Sequence, residues 1–168
     1  MQVETEFLEQ TSIRFSKVFD RIINTINQLN DEQIWYSPSS RSNSVGIIIQ
    51  HLTGNLNQWI GDAVGGYAYK RNRPSEFKDE NRLSKDEILK SFSELGAKIQ
   101  GIIKKLPKEE LLSPRRIQGY DMTVLSALYS AITHLELHAG QISYITKLIL
   151  NENYKEYWVP ATEEQGKK

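Results

Sequence analysis

The stretch Thr133–Ile142, T-H-L-E-L-H-A-G-Q-I, holds two of the chain's three histidines, His134 and His138. Four residues apart on an α-helix, two side chains stand one above the other on the same face. Two imidazoles placed that way can grip one metal ion without distorting the backbone. Apolar residues recur around them at Val124, Leu128, Ala131, Leu135, Ile142, Ile145 and Ile149. His138 falls within this stripe, and His134 and Gln141 fall on its flank. The spacing predicts a helix over about 122–150, capped by Asp121 or Thr123.

Three more stretches show the same period. Phe7, Leu8, Phe15, Val18, Phe19, Ile22, Ile23, Ile26 and Leu29 predict a helix over about 3–29. Val45, Ile48, Ile49, Leu52, Leu56, Trp59, Ile60 and Ala63 predict one over about 45–64, stopped by Gly65-Gly66. A third covers about 85–105, opened by a Ser84–Glu87 capping box and closed near Pro107. A short helix follows Asn30, with Gln33 in the reciprocal capping position, and Pro38 ends it. Arg115–Tyr120 reads as weakly ordered, and no sheet of consequence is expected. The expected fold is therefore all-α, a four-helix bundle. It forms one domain over residues 1–160, with a polar tail over 161–168.

The third histidine, His51, lies in the second helix. With Asn55, Gln58 and Asp62 it forms a polar stripe beside the apolar one. All three histidines thus sit on inward or flanking positions of long helices. Two readings stay open from the residues alone. They are hydrogen-bonded core histidines, or they converge on one metal ion, for which neutral imidazole is a common ligand. Zincin chemistry is excluded, because Leu135 stands where H-E-x-x-H needs its Glu. Di-iron bundles need Glu three residues before a histidine, and those positions are Ile48, Ala131 and Leu135. No G-x-S-x-G, P-loop or G-x-G-x-x-G motif occurs.

Composition narrows the function further. Lys plus Arg is 21 and Asp plus Glu is 21 in 168 residues, so no basic excess points to nucleic acid. There is no cysteine, so any thiol chemistry needs a thiol from outside. The N-terminus lacks the basic start and apolar core of a signal peptide. No apolar run approaches the ~20 residues of a membrane span. A soluble cytoplasmic protein is the expectation.

H-x-x-x-H-x-G-Q-I, here His134, His138, Gly140, Gln141 and Ile142, resembles the DinB/YfiT-like superfamily. So does the histidine in G-I-I-I-Q-H-L-T-G-N-L-N-Q-W. The chain is more closely similar to a DinB-like subfamily of unknown function that combines H-L-x-G-N, R-N-R-x-x-E-F and the last-helix motif. These are His51–Asn55, Arg71–Phe77 and His134–Ile142 here. The resemblance implies up-down-down-up topology with a long crossover, residues 65–83, between the second and third long helices. It implies a homodimer, and a divalent metal such as Zn, Ni or Mn held by His51, His134 and His138. It also implies transfer of a low-molecular-weight thiol, bacillithiol-like, to an electrophile. A hydrolase using bound hydroxide, or a non-catalytic dimer binding metal or a small molecule, are the alternatives.

Other residues carry paired readings. Asn55 lines the pocket or bonds the crossover backbone. Gln141 orients a ligand or fills a helix contact. Arg71 and Arg73 hold carboxylates of an anionic cosubstrate or form a solvated loop. Trp35 and Trp59 are expected in the core, and Glu136 away from the metal. Tyr154, Tyr157 and Trp158 are expected over the bundle or at an interface.

Overall fold

The structure is a computed structural model and describes residues 2–78 and 82–157. Trp158, Pro160 and the expected tail 161–168 lie outside those residues. Four long helical segments account for most of the fold. α1 spans Gln2–Ile26, and the one-turn α2 spans Asp31–Ile34. α3 runs Val45–Leu56 and continues as a π-helical segment, Asn57–Asp62. The short α4, Arg73–Glu76, sits inside the crossover. α5 spans Lys85–Lys105 and α6 spans Val124–Leu150.

The ends follow local chemistry. Asn30 and Gln33 form the reciprocal cap of α2, and Ser84 and Glu87 that of α5. Ser44 caps α3 through the Ile47 amide at 3.2 Å, and Thr123 caps α6. α1 stops at Ile26 rather than near residue 29, and Leu29 reaches the core from the following turn. The Trp35 indole donates to the Leu83 carbonyl at 3.0 Å, which pins the far end of the crossover.

α1 packs on α5 and α6, and α3 packs on the same two helices. Phe15, Phe19 and Ile22 of α1 meet Phe92 and Ile99 of α5 and Leu128 and Leu135 of α6 in one buried cluster. Phe19 and Phe92 lie 4.8 Å apart with tilted rings. Glu136 on α6 pairs with Arg14 and, at 2.6 Å, with Arg21 of α1. It therefore clips two helices together on the side away from the histidines.

No sheet of consequence forms among the described residues, but the stretch read as weakly ordered is a two-stranded hairpin. Pro114–Ile117 (β1) and Tyr120–Thr123 (β2) pair antiparallel, with Ile117 opposite Tyr120. Gln118 and Gly119 make the two-residue turn with φ of 53° and 90°. Two positive φ values in a row match the twist of a tight hairpin, and glycine takes the second at no steric cost. Each strand is four residues long, and within β1 Ile117 alone is buried, so no alternation could build up in the sequence. The Arg115 guanidinium donates to the Ala63 carbonyl at 2.8 Å and anchors the hairpin to the end of the π segment.

A second correction concerns α6. Its buried residues include Leu135, Ala139 and Ile142, whereas His138 is half-buried. The small Ala139 faces the core, and His138 turns one position toward the flank, alongside His134. His51, expected at the edge of its stripe, is instead the most buried of the three at 7% exposure.

Candidate metal centre

His51 from α3 and His134 and His138 from α6 converge. Their ring centroids lie 5.1 Å apart from His51 to each partner and 4.5 Å between the α6 pair. One nitrogen from each ring can be chosen so that all three lie within 4.8 Å of one another. The Nε2 atoms of His51 and His134 are 3.0 Å apart. Two nitrogens bound tetrahedrally to zinc at ~2.0–2.1 Å are separated by about 3.3 Å. The His51–His134 pair therefore stands close to the spacing a shared ion demands.

A carboxylate orients His51. Its Nδ1 lies 3.0 Å from Oε2 of Glu76, which α4 carries in from the crossover. An ionised carboxylate accepts only, so Nδ1 carries the hydrogen and Nε2 is left with its lone pair aimed at the other histidines. Glu76 is 7% exposed and is held by the Arg71 fork, Nε to Oε1 at 2.6 Å and Nη2 to Oε2 at 2.8 Å. Two parallel charge-assisted bonds satisfy the buried carboxylate. Gly54 makes this approach possible. A Cβ there would lie 2.0 Å from Oε1 of Glu76, which explains glycine in the His51–Asn55 motif.

On the other side, His138 Nδ1 stands 2.7 Å from Oε1 of Gln141. An amide oxygen accepts, so Nδ1 donates and Nε2 is again the free nitrogen. Gln141 is exposed. The two orienting groups thus differ in kind, one a buried ion pair and one a surface amide.

The electrostatics favour neutral rings. Burial pushes the His51 pKa down, partly offset by Glu76. Burial, with the nearby His138 and His51, pushes His134 down to about 4. Burial likewise lowers His138, against the bond to Gln141. Neutral imidazole is the form that binds metal.

Beside the histidines opens a pocket of about 320 Å³, lined in part by His51, Asn55, Trp59, Arg73, Ser130 and His134. Arg71 also lines it, but its guanidinium turns inward to Glu76 instead of standing in a solvated loop. Arg73 is exposed and lies over the Phe77 ring at 5.2 Å. Gln58 Oε1 accepts from Arg71 Nη1 at 3.3 Å and from Gln118 Nε2 at 2.7 Å, so it joins the crossover to the hairpin tip. Trp59, expected in the core, is half-buried at the pocket.

Sequence reasoning missed Glu76, Trp59 and the Gln58–Gln118 link. Glu76 stood inside the R-N-R-x-x-E-F motif, but nothing in the sequence of that charge-rich loop marks which carboxylate turns inward. The hairpin brings Gln118 to the pocket, so its role could not be seen without the strands.

The fold is shared with solved structures. A DinB-like protein from Bacillus cereus matches with a TM-score of 0.69 at 14% identity, over 90% of this chain and 95% of that one. A conserved protein from Enterococcus faecalis matches with a TM-score of 0.69 at 16% identity, over 84% and 96%. A DinB-like protein from Bacillus subtilis matches with a TM-score of 0.68 at 16% identity, over 88% and 96%. No curated protein matches the chain. Residues 2–163 match the family model described as a protein of unknown function, DUF1572, and the chain, DinB-like in fold, belongs to that family.

Proposed function

We propose that the chain is a divalent-metal-dependent enzyme, with His51, His134 and His138 as ligands, that transfers a low-molecular-weight thiol to an electrophile. The observation that carries this reading is the convergence of three imidazole nitrogens beside an open, cationic pocket that His51 and His134 line. Three neutral ligands leave a divalent ion its full charge, which lowers the pKa of a thiol or water placed beside it. The pocket supplies room for that molecule, and Arg73 supplies a charge for an anionic one. In the transfer, the thiol gives its proton to water and its sulfur bonds to the electrophilic carbon. The leaving group departs with the electron pair of the broken bond.

The hydrolase alternative is less well supported. Hydroxide chemistry is helped by a carboxylate near the open side, and none lines this pocket among the described residues. Glu76 lies behind His51, on Nδ1, and is occupied by Arg71. A sealed, non-catalytic site fits poorly with an open pocket at the histidines.

Metal content of the purified protein, offered Zn, Ni or Mn without chelator, is the test, followed by thiol conjugation to model electrophiles. Each of His51→Ala, His134→Ala and His138→Ala is expected to lower metal content and conjugation together. A wild type that binds none of these ions tightly, or three variants that all retain metal, would defeat the reading.

The homodimer belongs to this proposal. α6 carries Tyr129, Leu137, Tyr144 and Leu148 exposed on its outer side, between 55% and 65% accessible. A second copy fits exposed apolar and aromatic side chains of this kind, since two identical faces bury them against each other. Tyr144→Glu is expected to shift the light-scattering mass from twice 19.4 kDa to 19.4 kDa. A wild type already at the lower mass rules the dimer out.

A further inference from the structure

The imidazole of His51 needs two restraints to serve as a ligand, and the hydrogen bond to Glu76 supplies one. That bond, Nδ1 to Oε2 at 3.0 Å, acts at a single nitrogen. It restrains the direction of Nδ1 far more than the tilt of the ring. The last torsion of a histidine side chain is broad, so no rotamer well sets the tilt either. A change of tilt swings Nε2, the nitrogen offered to a metal, away from His134 and His138. Rings that ligate metals are therefore held by packing as well as by outer hydrogen bonds.

Phe77 provides a contact of that second kind. Its ring centroid lies 5.1 Å from that of His51, with the planes 36° apart, inside the ~4.5–7 Å range of interacting aromatic rings. Core burial does not account for a ring at this place. Phe77 is 38% exposed and stands outside the core cluster. It does not line the pocket either. What the ring meets is the His51 imidazole and the Arg73 guanidinium, 5.2 Å from its centroid. Phe77 ends α4 directly after Glu76. One turn of helix thus delivers a carboxylate to Nδ1 and a ring to the same imidazole.

We infer that Phe77 is a positioning residue for the metal centre: its ring sets the tilt of the His51 imidazole and keeps Nε2 turned toward His134 and His138. It acts through His51 and from outside the pocket. The consequence at the ion rests on the metal-centre reading, whereas the hold on the ring rests on the contacts of Phe77 alone.

The test sets Phe77→Leu, apolar but without a ring, beside Phe77→Tyr, which keeps the ring. Two quantities are measured on the full chain. The first is the order of the His51 ring in metal-free protein, from carbon relaxation of its C–H groups, which are assigned by their loss in His51→Ala. The second is zinc affinity, by competition with a chelator. Phe77→Leu is expected to loosen the ring and to weaken zinc about tenfold, the low end of what outer partners of metal ligands are worth. Its denaturant midpoint should move little, because the side chain is already 38% exposed. Phe77→Tyr is expected to keep both quantities near wild type. A Phe77→Leu with wild-type ring order or, where the wild type binds zinc, wild-type affinity overturns the inference. So does a Phe77→Tyr that loses as much as Phe77→Leu, and so does a Phe77→Leu that fails to fold, since the ring would then be core. A wild type that binds no zinc defeats the catalytic reading alone, and ring order in the metal-free protein then decides whether Phe77 holds His51.

Discussion

The two sides of the histidine cluster are built differently. On the α3 side, His51 is gripped by Glu76, Glu76 by Arg71, and Gly54 clears the space. Every member is buried, and each fails without the next. On the α6 side, His138 leans on the exposed Gln141, and Gly140 has nothing within 4 Å of the place its Cβ would occupy. The contrast shows how a three-point site can be assembled from one rigid corner and one compliant edge. The rigid corner fixes where the site is, and the compliant edge lets the second and third imidazoles adjust.

The hardest blow to that contrast is Glu76→Ala. It strands the Arg71 charge, whose side chain is 4% exposed, and frees His51. Removing one partner of a buried pair costs about 3–5 kcal/mol, so the denaturant midpoint should fall sharply. Outer partners of metal ligands are typically worth ~10–100-fold in affinity, so metal affinity should fall with it. If Glu76→Ala unfolds like wild type, the rigid corner does not exist.

Acid provides a second probe, on metal-free protein. Burial holds His134 at about 4 when folded, below the ~6.5 of an unfolded histidine. His51 and His138 move in the same direction. The unfolded chain therefore binds more protons between those values. Stability should be flat above about pH 6.5, fall as pH drops toward 4, and flatten below it. Denaturant midpoints at a series of pH values measure this, and His134→Ala should shallow the slope. A slope of opposite sign would mean that the imidazoles are charged in the folded state.

The glycines give a smaller and signed comparison. Gly54→Ala pushes a methyl group into Glu76 and should cost about 1–3 kcal/mol. Gly140→Ala, in an exposed helix interior, should gain about 0.5–1 kcal/mol. Equal effects at both sites would erase the distinction between the two sides. The smallest change expected is Gln141→Ala, within ~0.5 kcal/mol in stability because the residue is exposed. Its loss of metal affinity should stay at the low end of the outer-partner range. A Gln141→Ala as damaging as Glu76→Ala would make the α6 edge as rigid as the corner.

Much of this was legible in the sequence because it depends on period. The apolar stripes located the four long helices, and the i, i+4 spacing paired His134 with His138. Ser84 and Glu87 declared the start of α5. What escaped depends on phase or on distant partners. Ala139 and His138 are adjacent, and apolar spacing alone could not say which faces the core. Trp59 looked like core because indole is mostly apolar. Its unpaired N–H becomes visible once its neighbours are placed. Glu76 sat in a charge-rich loop where many carboxylates are solvated, and only the folded crossover shows which one turns inward.

The π segment Asn57–Asp62 has a consequence for length variation. Its amides reach back five residues, as Ala63 does to Gln58 at 3.1 Å and Gly65 to Ile60 at 2.8 Å, so it carries one residue more than an α-helix of the same rise. Deleting a single residue there could be absorbed by tightening to an α-helix. His51 and Asn55, upstream, would keep their place, while a deletion at Asn57 or Gln58 would turn Trp59 by about 100° about the axis. The wall of the pocket, and with it the choice of ligand, can therefore be changed by a one-residue indel that leaves the three histidines untouched.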